Sequence, residues 1–195
     1  MALMTGMDIM GDSMEFLESE PWFAQLMISF SNPIVGILFG AGLTAIIQSS
    51  SASVGILQGL CGTGVVTYGS AIPIILGQNI GTCITAIMGA IGANRNARRT
   101  AMVHLLFNVV GVLIFVVSFY GMGMFIDWKF LSETAAAWDI AVIHTCFNVA
   151  ATIVLMPLNG MLVKLAYLFI PEEQTPQKVE LLDERLLATP AVAVQ

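Results

Sequence analysis

The stretch Gln48-Ser49-Ser50-Ser51-Ala52-Ser53 interrupts an apolar segment that runs from Pro33 to Val66. Four hydroxyl groups and an amide cannot face lipid, because polar groups inside a bilayer must be satisfied by protein or by a water-filled cavity. The segment has about 34 residues, which is too long for one untilted span and too short for two. It therefore predicts either a helical hairpin, re-entrant in the membrane, with the serines at its tip, or a span that is broken there. The hairpin is the favoured alternative.

The composition indicates an all-α integral membrane protein. Of its 195 residues, 57% are hydrophobic and 10% are charged, and the mean hydropathy is +0.86, whereas a soluble domain has about 25% charged residues. Asp, Glu, Lys and Arg are absent between Pro21 and Asn94. The seven basic residues are spread along the chain, which argues against nucleic-acid binding. No nucleophile–base pair or metal-ligand cluster is visible, so we expect neither an enzyme nor a cofactor.

A second polar interruption follows about thirty residues later, at Gly77-Gln78-Asn79-Ile80-Gly81-Thr82. We expect the glycines to let the helix unwind there, while Gln78, Asn79, Thr82 and Thr85 supply neutral oxygen atoms. Two such interruptions in apolar segments are typical of a transporter's binding site. The alternative for the small residues is close helix packing, and Gly36, Gly40 and Ala41 fit that alternative well.

The chemistry of such breaks suits ions of both signs. The free N–H groups and the positive dipole end at a helix start favour an anion, and free carbonyl groups can coordinate a cation. A serine hydroxyl donates to phosphate or accepts from a hard cation. No Arg or Lys lies near the breaks, so an anion would depend on dipoles, hydroxyls and bound cations. This favours cation-coupled symport over a pore lined with basic residues.

A short motif occurs twice, as His104-Leu-Leu-Phe107-Asn108 and as His144-Thr-Cys-Phe147-Asn148. Residues at i, i+3 and i+4 share one helix face, so two successive helices present the same polar stripe. The favoured interpretation is interhelical hydrogen bonding. The alternative is that Asn108 and Asn148 line a cavity, or that the histidines handle protons.

The positions of the helix-start signals and of the charged residues predict three regions of the chain and its orientation in the membrane. Residues 1–32 hold a helix remnant and a short interfacial helix, and 33–170 form the transmembrane repeat, whose first helix has Asn32 as cap and Pro33 in its first turn. Residues 171–195 read as a tail or linker. The Arg95–Arg99 loop and this tail are expected on the cytoplasmic side of the inner or plasma membrane, because basic loops stay inside.

Three motifs resemble the bacterial branch of the sodium/phosphate cotransporter family, which also includes the animal type II cotransporters. They are TAIIQSSSASVG at 44–55, LGQNIGT at 76–82 and NRNARR at 94–99. The resemblance implies an inverted-repeat symporter that binds phosphate and Na⁺ between two halves. It implies that substrate and sodium bind to the residues of the two motifs, Gln48, Ser49, Ser50, Ser51, Asn79 and Thr82, with Na⁺ near Gln48, Ser49, Ser50 and Thr82.

Family members have two Gln-Ser-Ser-Ser repeats, and this sequence has one. We therefore expect it to be the C-terminal half of a transporter that needs a second repeat, from an N-terminal half or from another chain. Ser53, Gln78 and Thr85 complete the predicted site. The rival functions are a carrier or channel for another anion, and a partner subunit that transports nothing.

Overall fold

A computed structural model describes residues 15–171 together with Thr5, Gly6, Ile9, Met10, Asp12 and Ser13. Within these residues the chain is α-helical, apart from loops, short 3-10 turns and one isolated bridge between Thr67 and Thr134. The all-α prediction is confirmed. The predicted tail, apart from Pro171, and most of the first fourteen residues lie outside the described residues.

Eight α-helices lie between residues 21 and 171, the described part of the chain from Pro21 onward. Two 3-10 segments, Glu15–Ser19 and Lys129–Ser132, precede α1 and α7. The helices are α1 Pro21–Phe30, α2 Pro33–Ile47, α3 Ser50–Cys61, α4 Tyr68–Gly81, α5 Cys83–Gly89, α6 Arg95–Gly123, α7 Ala137–Leu155 and α8 Asn159–Phe169.

Several helix starts follow directly from sequence signals. The Asn32 side-chain oxygen accepts hydrogen bonds from the backbone N–H of Ile34 and Val35, at 3.0 and 3.4 Å, and Pro33 occupies the first turn. Asn94 caps α6 in the same way, through the N–H of Ala97 at 2.9 Å. The predicted cap at Asn32 is confirmed.

Among the described residues, three helical segments are long and apolar enough to cross a membrane. These are Tyr68–Gly89, which joins α4 and α5, then α6 and α7. A fourth crossing exists if α1 and α2, which meet at an angle of 106°, count as one span. Large apolar side chains lie exposed along these helices, such as Ile46, Val117 and Ile153, as expected for a surface that faces lipid.

Helix α4 is the centre of the fold. Its residues from Ala71 to Asn79 are all buried, and α1, α2, α3, α6 and α7 pack around it. Phe23 and Met27 of α1 belong to the same apolar cluster as Ile74 and Ile75 of α4. The segment that carries the second polar motif is thus a buried helix held on every side.

The predicted unwinding at Gly77–Thr82 is wrong. Helix α4 continues through Gly81, and Thr82 keeps helical backbone angles, with φ −57° and ψ −28°. The glycines instead allow α2 and α4 to touch, since a Cβ at Gly77 would collide with the Ile37 carbonyl and lie 2.8 Å from the Ala41 nitrogen. Across the contact, a Cβ at Gly40 would strike the Ile74 carbonyl. Glycines four residues apart on both helices form a small-residue packing seam.

Candidate functional site

The chain reverses its direction at Gln48 and Ser49. Gln48 adopts the left-handed conformation, with φ 58°, and its N–H donates to the Thr44 carbonyl at 2.7 Å. Ser49 caps α3, since its Oγ accepts from the N–H of Ala52 at 3.2 Å. Gln48 is the one described non-glycine residue with positive φ, a conformation that most side chains avoid.

A buried hydrogen bond shows that α2 and α3 form a hairpin. The Thr44 hydroxyl, one turn before the break, donates to the Ser53 Oγ, one turn after it, at 2.8 Å. If the helices continued in line, nine residues would separate these groups by roughly 13 Å. The hairpin is therefore confirmed over the broken straight span.

Gln78 joins the hairpin to the central helix. Its Nε2 donates to the Ser53 carbonyl at 3.0 Å, and the side chains of Thr44, Ser53 and Gln78 are fully buried. The Gln78 Oε1 has no hydrogen-bond donor among the described residues. An unpaired buried acceptor costs about 1–3 kcal/mol, so this oxygen is suited to a cation or a donor.

Next to this buried group lies a polar cavity of about 240 Å³, in which four helices and the Thr82 turn meet. The hairpin contributes Ser50, the first residue of α3. Helix α4 and the turn after it contribute residues of the second polar motif. Helices α6 and α7 contribute residues of the two His-Phe-Asn motifs. The lining residues are Ser50, Asn79, Thr82, His104, Phe107, Asn108, His144 and Asn148.

Local hydrogen bonds fix the amide groups of this cavity by their nitrogen atoms. Asn79 donates to the Ile75 carbonyl at 2.9 Å, and Asn108 and Asn148 donate to the carbonyls of His104 and His144 at 3.0 and 2.7 Å. Each bond therefore stays within one helix. The side-chain oxygens remain acceptors, and neutral oxygen atoms are the ligands that hard cations prefer.

The repeated His-Phe-Asn motif serves both interpretations. The amide nitrogens of Asn108 and Asn148 bond within their own helices, whereas the Asn108 side chain also hydrogen-bonds with Cys83 of α5. The histidine and the asparagine of both copies line the cavity, as the alternative interpretation predicts. The repeat was visible in the sequence, but only the fold shows that its two copies face the same space.

The predicted site residues separate into three groups. Ser50, Asn79, Thr82, Asn108 and Asn148 meet in the cavity. Ser53 and Gln78 lie buried beside the hairpin, in contact with each other. The remaining residues are exposed in this chain and do not line the cavity, namely Gln48, Ser49, Ser51 and Thr85.

The residues predicted near Na⁺ are divided in the same way. Ser50 and Thr82 line the cavity, whereas Gln48 and Ser49 shape the exposed tip of the hairpin. Prediction from the sequence missed three lining residues, His104, Phe107 and His144. Their signal was the repeated motif itself, which we interpreted as helix packing.

A polar cavity among apolar, membrane-length helices places the chain in the class of α-helical membrane transport proteins. The chain belongs to the Na⁺/Pi-cotransporter family, whose model matches residues 2–136. The match covers the hairpin, both polar interruptions and α6. Helix α7, with His144 and Asn148, follows the matched region.

The relatives include bacterial and animal proteins. YqeW of Bacillus subtilis, an uncharacterized protein, is 38% identical over 69% of this chain and 43% of its own length. Human sodium-dependent phosphate transport protein 2B is 45% identical over 41% of the chain, and mouse protein 2C is 32% identical over 68%. The chain spans 12% and 22% of these two proteins. No solved structure gives a significant match.

Proposed function

We propose that this chain supplies one half of a sodium-dependent phosphate symporter, and that its polar cavity forms part of the site for phosphate and Na⁺. The family and the names of the mammalian relatives support this assignment. One observation carries it most directly: Ser50 of the hairpin, Asn79 of the central helix and Thr82 of the following turn line a single cavity.

The start of α3 suits the anion. Ser50 is the first residue of a twelve-residue helix. The Ala52 N–H of its first turn donates to the Ser49 Oγ, while the N–H groups of Ser50 and Ser51 have no partner inside the helix. Together with the positive end of the helix dipole, these groups attract an anion. The Ser50 hydroxyl adds a donor at the same place.

The opposite wall suits Na⁺. Thr82 donates its own hydroxyl hydrogen to the Gln78 carbonyl at 2.9 Å, which leaves the lone pairs of Oγ1 for a cation. The side-chain oxygens of Asn79 and Asn148 are of the same neutral type. Gln78 does not line the cavity, and its Oε1, which has no donor among the described residues, is left out of this cation site.

The charge of phosphate has to be balanced within a low-dielectric site. Within the described part of the chain no Asp, Glu, Lys or Arg lines the cavity, and its ionisable side chains are those of His104 and His144. A bound Na⁺ would offset part of the one to two negative charges of phosphate. The remaining compensation would come from the dipoles of a second repeat, which the exposed tip residues Gln48, Ser49 and Ser51 would face.

The membrane is the site of action in this proposal, with the start of α6 and the tail from residue 171 on the cytoplasmic side. The predicted loop at Arg95–Arg99 is wrong, since these residues begin α6, but their three arginines still motivate this orientation. Because the second repeat is needed to close the site, the 195-residue chain alone should accumulate no phosphate in liposomes.

Sodium-driven uptake of radiolabelled phosphate tests the proposal. In a transporter assembled from this chain and a second repeat, Thr82→Val should reduce uptake at least tenfold, because the cavity loses a hydroxyl oxygen. Thr145→Val is the matched control, since Thr145 is exposed on α7 outside the cavity and bonds only to the Ala141 carbonyl. Uptake that needs no Na⁺ would indicate a channel, and no uptake with any second repeat would indicate a non-transporting subunit.

A further inference from the structure

A second, separate groove lies at the end of the fold where the basic residues of α6, Arg95, Arg98 and Arg99, are found. It has a volume of about 600 Å³ and is bounded by the end of α5, the start of α6 and the end of α8. Its walls are apolar, with Ile87, Ile91, Leu105 and Phe169 among them, and of the described residues Arg98 is the one charged side chain that lines it.

The sequence of α6 places this groove at a membrane boundary. Residues 100–123 contain no Asp, Glu, Lys or Arg, and about twenty such residues cross the hydrocarbon core. Arg98 therefore lies at the level of the lipid headgroups. Leu105 follows seven residues later, roughly 10 Å along the helix axis, so the groove runs from the headgroup level into the hydrocarbon.

Two adjacent arginines differ in what they contact. Arg99 is buried, donates from Nε to the Ile170 carbonyl at 3.1 Å, and lies over the Tyr167 ring at 3.9 Å. It holds α8 against α6. Arg98 is exposed and makes no hydrogen bond or ion pair with the described residues. Its charge is thus not used within the part of the chain that the structure describes.

The surroundings of Arg98 contain no competing carboxylate on the neighbouring helices. From Pro21 to Ile126 the sequence has no Asp or Glu, which covers α1 to α6. A positive group at the headgroup level, above an apolar groove and without a carboxylate partner among the described residues, is complementary to an anionic phospholipid.

We propose that this groove binds one anionic phospholipid. The Arg98 guanidinium pairs with the headgroup phosphate through charge-assisted hydrogen bonds. One acyl chain lies along Ile87, Ile91, Leu105 and Phe169. The bound lipid would fill the space between α5, α6 and α8 and so stabilise the packing of α8. The inference stands on this groove alone and does not depend on the transport proposal.

Native mass spectrometry of the full chain, with phosphatidylglycerol and phosphatidylcholine supplied in equal amounts, tests the inference. The wild-type chain should retain phosphatidylglycerol preferentially. Arg98→Gln should weaken that retention about fivefold, as expected for one charge near the membrane surface. Lys129→Gln is the matched control, because it removes one positive charge at the other end of α6, and it should change nothing. Helix content measured by circular dichroism would show that both variants fold.

A competition arm separates a lipid from a free phosphate. Glycerophosphoglycerol has the same headgroup without acyl chains, and at millimolar concentration it should not displace the lipid. Displacement would overturn the proposal in favour of a simple anion site. Equal retention of the two lipids by the wild-type chain would also overturn the proposal. So would equal retention of phosphatidylglycerol by Arg98→Gln and wild type. The occupant of the groove would then be the acidic sequence that begins at Glu172 or another chain.

Discussion

The two polar interruptions of this chain look alike in sequence and differ in structure. Both place Gln, a hydroxyl residue and small residues inside an apolar run. At Gln48–Ser49 the helix ends and the chain turns back, whereas at Gly77–Gly81 the helix continues. Polar residues in an apolar segment therefore mark where a site can form, but they do not determine whether the backbone breaks.

The difference has a physical cause in the partners of each segment. At the first interruption, Ser49 caps the new helix and Gln48 takes the left-handed conformation that ends the old one. At the second, Gly77 and Gly81 face α2 so closely that a Cβ on either would collide with its backbone. These glycines serve packing, and the continuous helix then carries Gln78 and Asn79 to fixed positions.

The largest effect in this comparison is expected for Gly77→Ala. The added methyl group would strike the Ile37 carbonyl, and separating two packed helices should cost about 3 kcal/mol. Gly89→Ala is the matched control, since a Cβ there has nothing within 4 Å and alanine favours a helix. Thermal unfolding in detergent measures both. Equal melting temperatures for the two variants would mean that Gly77 is not a packing glycine.

A smaller effect is expected at the hairpin tip. Gln48→Val puts a β-branched residue in the left-handed region and should cost about 1–2 kcal/mol. Gln48→Gly should instead keep or slightly raise stability, because glycine adopts this conformation freely. The same unfolding assay compares the pair, and a glycine variant less stable than the valine variant would contradict the observed conformation.

The smallest effect is expected for Thr44→Val, which removes the buried donor to Ser53 but keeps the volume of the side chain. Loss of one buried hydrogen bond should cost about 1 kcal/mol. Thr145→Val removes an exposed hydroxyl that bonds to its own helix and should change stability by less. If the Thr145 variant is the less stable one, the contact across the hairpin does not hold α2 to α3.

Local signals were enough to predict much of the fold. The apolar runs, the cap at Asn32 and the polar tip at Gln48–Ser53 predicted the helical class and the hairpin, because each depends on nearby residues. The role of Gly77 could not be assigned with the same reasoning, since a glycine that unwinds a helix and one that packs against a neighbour look identical until the neighbour is known. The spacing of Gly36 with Gly40, and of Gly77 with Gly81, was the available signal.

Part of the candidate site could also be predicted from local sequence motifs, and the rest depends on tertiary packing. Ser50, Asn79 and Thr82 belong to conspicuous motifs, and the structure brings them into one cavity. His104 and His144 carry a visible repeat, but whether such a stripe packs or lines a space depends on how α6 and α7 are placed around α4. That placement comes from the tertiary packing rather than from either motif.

The most direct measurement of the central claim is protection of the cavity by its proposed ligands. Ser50→Cys would be introduced with Cys146→Ser, because Cys146 is exposed while Cys61 and Cys83 are buried, into the transporter assembled with a second repeat. The rate of labelling by a small thiol reagent is then measured in four conditions: Na⁺ with phosphate, Na⁺ without phosphate, choline with phosphate, and choline without phosphate. We predict that Na⁺ and phosphate together slow the labelling of this cysteine several-fold, while choline with phosphate does not. A rate that is the same in all four conditions would contradict the assignment of this cavity to phosphate and Na⁺.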